Sequence, residues 1–105
     1  MKFNKSMMSF LKGKSLMITG GTGSLGNSIV NYIIKNKIKP KRLVIFSRDE
    51  LKQSNMQKKY SNKKYKFMRY FLGDIRDKDR LVSAIENVEY IIHTAALKQV
   101  PASEY

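Results

Sequence analysis

A chain of 105 residues is long enough for one small hydrophobic core and too short for two. With 42% hydrophobic and 28% charged residues, it has the composition of a globular domain and not of a disordered segment. The absence of cysteine excludes a disulfide framework or thiolate metal site and suits a reducing compartment, while 21 basic against 8 acidic residues give a net charge of +13.

Residues 1–13 set Lys2, Lys5 and Lys12 among Phe3, Met7, Met8, Phe10 and Leu11, and no apolar run there exceeds two residues. Such a segment cannot act as a signal-peptide core or cross a bilayer. It is expected to be a lead-in, either a short amphipathic helix or disordered. No other stretch approaches ~18 consecutive apolar residues, so a cytoplasmic protein with no membrane partner is expected.

Lys14-Ser15-Leu16-Met17-Ile18-Thr19 is a short apolar run that closes on glycines and predicts a buried strand. Leu25, Ile29, Val30, Ile33 and Ile34 then draw one stripe on a helix, with Asn27, Asn31 and Lys35 facing water. Pro40 bars further helix. Leu43-Val44-Ile45-Phe46 reads as a second buried strand. Asp49 to Tyr60 predicts a weakly amphipathic helix with Leu51, Met56 and Tyr60 as core candidates. A lysine-rich loop around Asn62 leads to a third strand, Tyr65 to Leu72, ended by Gly73. Asp77 is placed to cap a helix that carries Leu81, Val82 and Ile85, and Val88 to Thr94 is a fourth strand. Pro101 suits the first position of a further helix.

Alternating strands and helices imply an α/β fold with a parallel sheet covered on both faces. Right-handed crossovers favour a Rossmann-like, doubly wound arrangement. The expected strand order is 3-2-1-4, half of such a sheet, with the fourth strand left as an edge.

Thr19-Gly20-Gly21-Thr22-Gly23-Ser24-Leu25-Gly26 sits where the first strand turns into the first helix. A pyrophosphate needs bare backbone N–H groups and the positive end of a helix dipole at close range. Gly20 permits the tight turn, Gly23 lets the backbone approach the phosphates, and Gly26 lets the helix pack on the sheet. Thr22, Ser24 and Leu25 share the loop and complete the expected phosphate site. The Gly20-x-x-Gly23-x-x-Gly26 spacing is one residue wider, at its first gap, than in ordinary dehydrogenases.

About 20 residues further on, the end of the second strand meets the adenosine ribose. Ser47-Arg48-Asp49 stands there. Arg48 can pair with a 2′-phosphate and Ser47 can donate to it, which favours NADP over NAD. Asp49 either serves the 2′-hydroxyl of NAD or caps the next helix; repulsion from a 2′-phosphate favours the cap. After the third strand, Asp74 is placed to accept from the adenine amino group with Ile75 against the ring, or else is an ordinary loop aspartate.

Four strings together, Gly20–Gly26, Ser47-Arg48-Asp49-Glu50-Leu51-Lys52-Gln53, Gly73-Asp74-Ile75-Arg76-Asp77 and His93-Thr94-Ala95-Ala96-Leu97-Lys98-Gln99-Val100-Pro101, resemble the inverting UDP-N-acetylglucosamine 4,6-dehydratases. These belong to the polysaccharide-biosynthesis branch of the extended short-chain dehydrogenase/reductases. The resemblance covers Lys14 to Tyr105, and its second and fourth strings are specific to that branch. It implies a redox-neutral cycle on a UDP-sugar: oxidation at C4 by bound NADP, loss of the C5 proton and of water from C6, return of the hydride to C6, and inversion at C5. It also implies that Gly20, Gly23 and Gly26 line the pyrophosphate, Arg48 the 2′-phosphate, and Asp74 with Ile75 the adenine. Ala95 and Ala96 would border the nicotinamide and Lys98 the substrate mouth. A homo-oligomer is implied for the full-length parent.

The family's catalytic Thr-Asp-Lys stretch and Tyr-x-x-x-Lys pair have no counterpart here. No catalytic residue is assigned, and the domain, residues 14–105, is expected to be a partial NADP-binding unit that is inactive alone. Tyr60-x-x-x-Lys64 matches the pattern but falls between the second and third strands, out of reach of a nicotinamide. His93, the only histidine, is expected to be structural. The lysines run through every segment, with a local excess in Lys35–Lys41 and Lys58–Lys66. They read as a solvated surface or else as attraction for polyanions, phosphate-bearing small molecules included, and no nucleic-acid motif accompanies them. A stand-alone NAD(P)-binding module, or half of a split epimerase of the same superfamily, is the alternative reading.

Overall fold

The computed structural model describes residues 8–94. A 3-10 turn at Ser9–Leu11 precedes β1 (Ser15–Thr19), α1 (Ser24–Lys35), β2 (Arg42–Ser47), α2 (Glu50–Lys59), β3 (Met68–Leu72), α3 (Lys78–Ile85) and β4 (Tyr90–His93). All strand pairs are parallel, in the order β3-β2-β1-β4. This is the expected half of a doubly wound sheet. Each helix returns the chain over the sheet, and right-handed crossovers place α1 and α2 on one face and α3 on the other.

β1 is buried at all five positions because it lies between β2 and β4 and is covered on both faces. Side-chain alternation divides the strands between two cores. Leu16 and Ile18 join Leu43, Ile45 and Met68 under the α1 stripe and Met56 of α2. Met17 joins Val44 and Phe46 under Ala84 of α3, and Phe46 stacks on Phe71 at 5.8 Å. Met8 and Leu11 belong to the first core, so the end of the lead-in packs against the sheet.

α1 closes in a Schellman turn. Lys37 adopts φ 55, its N–H bonds to the Ile34 carbonyl at 3.1 Å, and the Ile38 N–H reaches the Ile33 carbonyl at 3.0 Å. Ile33 and Ile38, both buried, supply the apolar contact that accompanies this motif.

Two expectations shift. β3 begins at Met68 and not at Tyr65, because the preceding residues form turns in which Tyr65 N–H bonds to Ser61 and Met68 N–H to Tyr65. Leu51, expected in the core, is 70% exposed. The inward face of α2 is built instead from Gln53 and Met56, with Tyr60 just beyond its end. Tyr70 of β3 donates to the Tyr60 carbonyl at 2.5 Å, and burial, with Tyr60 nearby, pushes its phenol up to about 12.

Candidate functional site

Parallel register brings all four strand ends to one edge of the sheet. Thr19 is level with Phe46 and His93, and Ser47 with Leu72. A cleft of about 790 Å³ opens there, walled by the loop after β1, the end of β2, the loop after β3 and the end of β4. Open α/β sheets bind ligands at this place, outside the carboxyl ends of the strands where the order reverses.

β1 leaves the sheet through Gly20 at φ 68, a left-handed conformation that favours glycine, and the Gly20 N–H is fixed to the Phe46 carbonyl at 2.8 Å. Gly23 is the N-cap of α1. No side chain caps this helix, and its first turn holds no acid. The other two helices are capped from within: Asp49 accepts from the Lys52 N–H at 2.9 Å and Asp77 from the Arg80 N–H at 3.1 Å. The positive end of the α1 dipole therefore lies on the cleft with no internal anion to answer it.

The glycines of this loop serve different masters. A Cβ on Gly26 would stand 2.1 Å from the Gly21 carbonyl oxygen, and one on Gly21 would stand 2.9 Å from Ile45 Cγ2. A Cβ on Gly23 would meet only the Gly20 oxygen, at an ordinary 3.4 Å. The fold itself demands bareness at 21 and 26, whereas the bare face of Gly23 looks onto the cleft. Asn27, expected to face water, is half-buried. Its Nδ2 donates to the carbonyls of Thr22 and Gly23, each at 3.0 Å, and so holds the loop to the first turn of α1.

At the end of β2, Ser47 is buried and Arg48 is exposed. The side chain of Gln53 reaches back from α2 and donates to Ser47 Oγ at 3.0 Å and to the Phe71 carbonyl at 3.0 Å. One amide thus fastens α2 to the ends of β2 and β3. Asp74 is held by Arg76, whose Nη2 lies 2.7 Å from Oδ2 and whose backbone N–H lies 2.9 Å from Oδ1. Arg48 Nη1 approaches the same carboxylate at 3.5 Å. Hydrogen bonds from the Arg76 side chain and backbone, aided by the charges of Arg76 and Arg48, keep the Asp74 carboxyl well below the ordinary carboxylate range. Asp49 is the helix cap that its position suggested.

On the β4 side, His93 Nδ1 is hydrogen-bonded to Thr19 Oγ1, and Thr94 Oγ1 donates to the Thr19 carbonyl at 2.6 Å. These contacts tie the end of β4 to the start of the glycine loop, and His93 itself also lines the cleft. Tyr60 is buried beyond the end of α2, and neither it nor Lys64 lines the cleft.

Nine of the residues singled out in the sequence therefore line one cleft: Gly20, Thr22, Gly23, Ser24, Leu25, Ser47, Arg48, Asp74 and Ile75. Gly26 stands behind the loop and shapes it. Ala95, Ala96 and Lys98 lie outside the described residues.

Residues 16–105 match the family described as polysaccharide biosynthesis protein. The chain belongs to that family. It is 47% identical over 93 residues to the inverting UDP-N-acetylglucosamine 4,6-dehydratase of Campylobacter jejuni subsp. jejuni, covering 89% of this chain and 27% of that enzyme. It is 46% identical over 94 residues to the UDP-glucose 4-epimerase of Rickettsia bellii, covering 88% and 27%. The X-ray structure of Pen from Bacillus thuringiensis superimposes with a TM-score of 0.75 at 43% identity, covering 87% of this chain and 28% of that one. The chain thus spans about a quarter of the length of the proteins it matches, and the dehydratase resemblance read from the four strings is borne out.

Some contributors to this family cleft escaped the sequence reading. Lys52, in the first turn of α2, lines it, and Gly73 and Thr94 complete its walls. Gln53 and Asn27 act from behind. An amide on an otherwise polar helix face carries no signal of burial. What betrays Gln53 is only its place, six residues past the strand end that it braces.

Proposed function

We propose that residues 14–105 form the NADP-holding part of a nucleotide-sugar enzyme, specifically a UDP-N-acetylglucosamine 4,6-dehydratase. The observation that carries this reading is the uncapped, acid-free first turn of α1 behind the positive-φ Gly20, opening on a cleft that Arg48 borders. A diphosphate fits that cradle because the bare face of Gly23 admits it to the loop amides. In this reading Arg48, with Ser47, holds the 2′-phosphate, and Ile75, 41% exposed at the cleft wall, lies against the adenine beside Asp74. Ala95 and Ala96 border the nicotinamide, and Lys98 meets the UDP-sugar. Bound NADP supplies reversible hydride acceptance; the chain's own residues here bind and orient.

Among the described residues the cleft holds no tyrosine–lysine pair, so the 105 residues alone are proposed to be inactive, within a cytoplasmic enzyme that assembles as a homo-oligomer. The near-equal likeness to UDP-glucose 4-epimerases favours a second reading, half of an epimerase acting at the same C4. A polypeptide that supplies the Tyr-x-x-x-Lys segment would decide between them: a 4-keto-6-deoxy product means dehydratase, and a 4-epimer means epimerase.

Calorimetric titration of the chain with NADP and with NAD tests the cofactor reading. Charge-assisted hydrogen bonds of about 1.5–3 kcal/mol imply that Arg48→Ala weakens NADP about 10- to 100-fold and leaves NAD nearly unchanged. Equal behaviour of variant and parent removes Arg48 from its role. Failure of either nucleotide to bind the parent chain defeats the cofactor reading itself.

A further inference from the structure

Positive charge is gathered at one edge of this molecule, and it is not the edge that carries the cleft. Topology brings the helix-to-strand connections together: the Gly13 N–H bonds to the Lys39 carbonyl and the Lys41 N–H to the Lys14 carbonyl, each at 2.9 Å. Beside them the Leu43 N–H bonds to the Phe67 carbonyl at 2.8 Å. Segment 35–41 contributes four lysines and segment 58–66 five, all exposed, and neither holds an acid. The third connection, 86–89, brings only Glu86 and Glu89 as charged residues to this edge, and Glu89 lies 3.8 Å from Lys14 Nζ. The cleft edge is different. Segments 48–52 and 74–80 together hold five basic and five acidic residues.

We propose that the lysine-rich amino-terminal edge of the sheet docks on an anionic lipid surface, with the nucleotide cleft turned away from it. This reverses the expectation of no membrane partner, which rested on the lack of a spanning segment and not on the surface. The charge is poorly placed to serve the cleft. A strand of five or six residues is about 16–20 Å long, roughly twice the Debye length of about 8 Å at physiological salt. The edge suits a field of headgroups better than a nucleic acid. Its cations are almost all lysines, point charges without the planar fork that reads bases. Arg69, which has such a fork, is folded onto its own backbone, with Nη1 at 2.5 Å from the Lys66 carbonyl and 2.8 Å from that of Met68. Phe10 adds the aromatic component. It is 51% exposed, packs edge-on against Tyr90 at 5.1 Å, and sits at the start of β4, on the same edge as the lysines.

Co-sedimentation of the chain with vesicles tests this. Vesicles of equal parts phosphatidylglycerol and phosphatidylcholine are expected to retain it at low salt, and phosphatidylcholine alone is not. Retention should vanish near 1 M salt, where the Debye length is about 3 Å. Each lysine near an anionic membrane contributes about fivefold, so the joint variant Lys39→Glu, Lys41→Glu, Lys63→Glu, Lys66→Glu should bind at least about a hundredfold more weakly. Lys78→Glu, at the balanced edge, should bind within about twofold of the parent, because its charge lies more than a Debye length from the lysine edge. Circular dichroism melting of the joint variant, unchanged from the parent, assigns its loss to charge. Equal retention by both kinds of vesicle, or a joint variant that binds as the parent does, overturns the proposal. So does tighter binding to a short DNA duplex than to the anionic vesicles at the same salt, which would give the edge to a nucleic acid.

Discussion

Gly23 and Gly26 lie in one loop, yet the constraints on them come from different sides. At Gly26 a methyl group would overlap the Gly21 backbone, whose oxygen stands 2.1 Å from the Cβ position, and backbone cannot step aside as a side chain can. Gly26→Ala is therefore expected to cost at least about 2–3 kcal/mol in stability and to lower the melting temperature sharply. At Gly23 the same methyl group meets only an ordinary contact, at an ordinary negative φ of -75°. Gly23→Ala should lower stability by less than about 1 kcal/mol while weakening NADP at least about tenfold, because the methyl group intrudes where the diphosphate approaches. Melting curves and titrations of the two variants check this. Equal loss of stability in both would mean that Gly23 serves the fold and not a ligand. The glycines could be found in the sequence because their spacing is local. Asn27 and Gln53 could not, since their partners are loop and strand-end carbonyls brought near only by folding.

Helices and strands were legible to within a few residues where apolar periodicity was strong, as in β1, α1 and β2. α2 was placed correctly although its apolar pattern is weak, because Asp49 marks its start. The start of β3 was misplaced because Tyr65 and Phe67 have strand-like side chains but stand in turns. The end of α1 was read from Pro40, yet the chain stops being helical earlier, at Lys37 with φ 55. No residue pattern announced that stop, since the position holds lysine where glycine is usual. A left-handed residue other than glycine costs about 1–2 kcal/mol, part of which returns as the greater unfolded-state entropy of glycine. Lys37→Gly should therefore stabilise the chain by roughly 0.5–1 kcal/mol, or about 2–8 °C in melting temperature. Loss of stability instead would show that the lysine side chain makes good the strain through contacts of its own.

At the scale of the whole molecule, handedness and element order were enough to anticipate β3-β2-β1-β4, because few topologies obey both. The charge asymmetry was legible only in part: the sequence shows lysine excesses at 35–41 and 58–66, and the sheet is what brings those two segments to one edge. The same order leaves a second consequence. Among the described residues β4 pairs only with β1, and its Tyr90 and Ile91 are 41% and 51% exposed. An unpaired edge beside apolar side chains is a template for another chain, either the rest of a larger sheet or a second copy. The 105-residue chain by itself is thus expected to self-associate as its concentration rises. Ile91→Lys should suppress that association, because a charge on an edge strand opposes pairing. Its effect on stability should stay within about 0.5 kcal/mol, since the side chain is half in solvent. Sedimentation velocity over a range of concentrations, with a thermal melt of each protein, measures both. A parent chain that stays monomeric throughout, or a variant that associates equally, would show that β4 is not a joining edge.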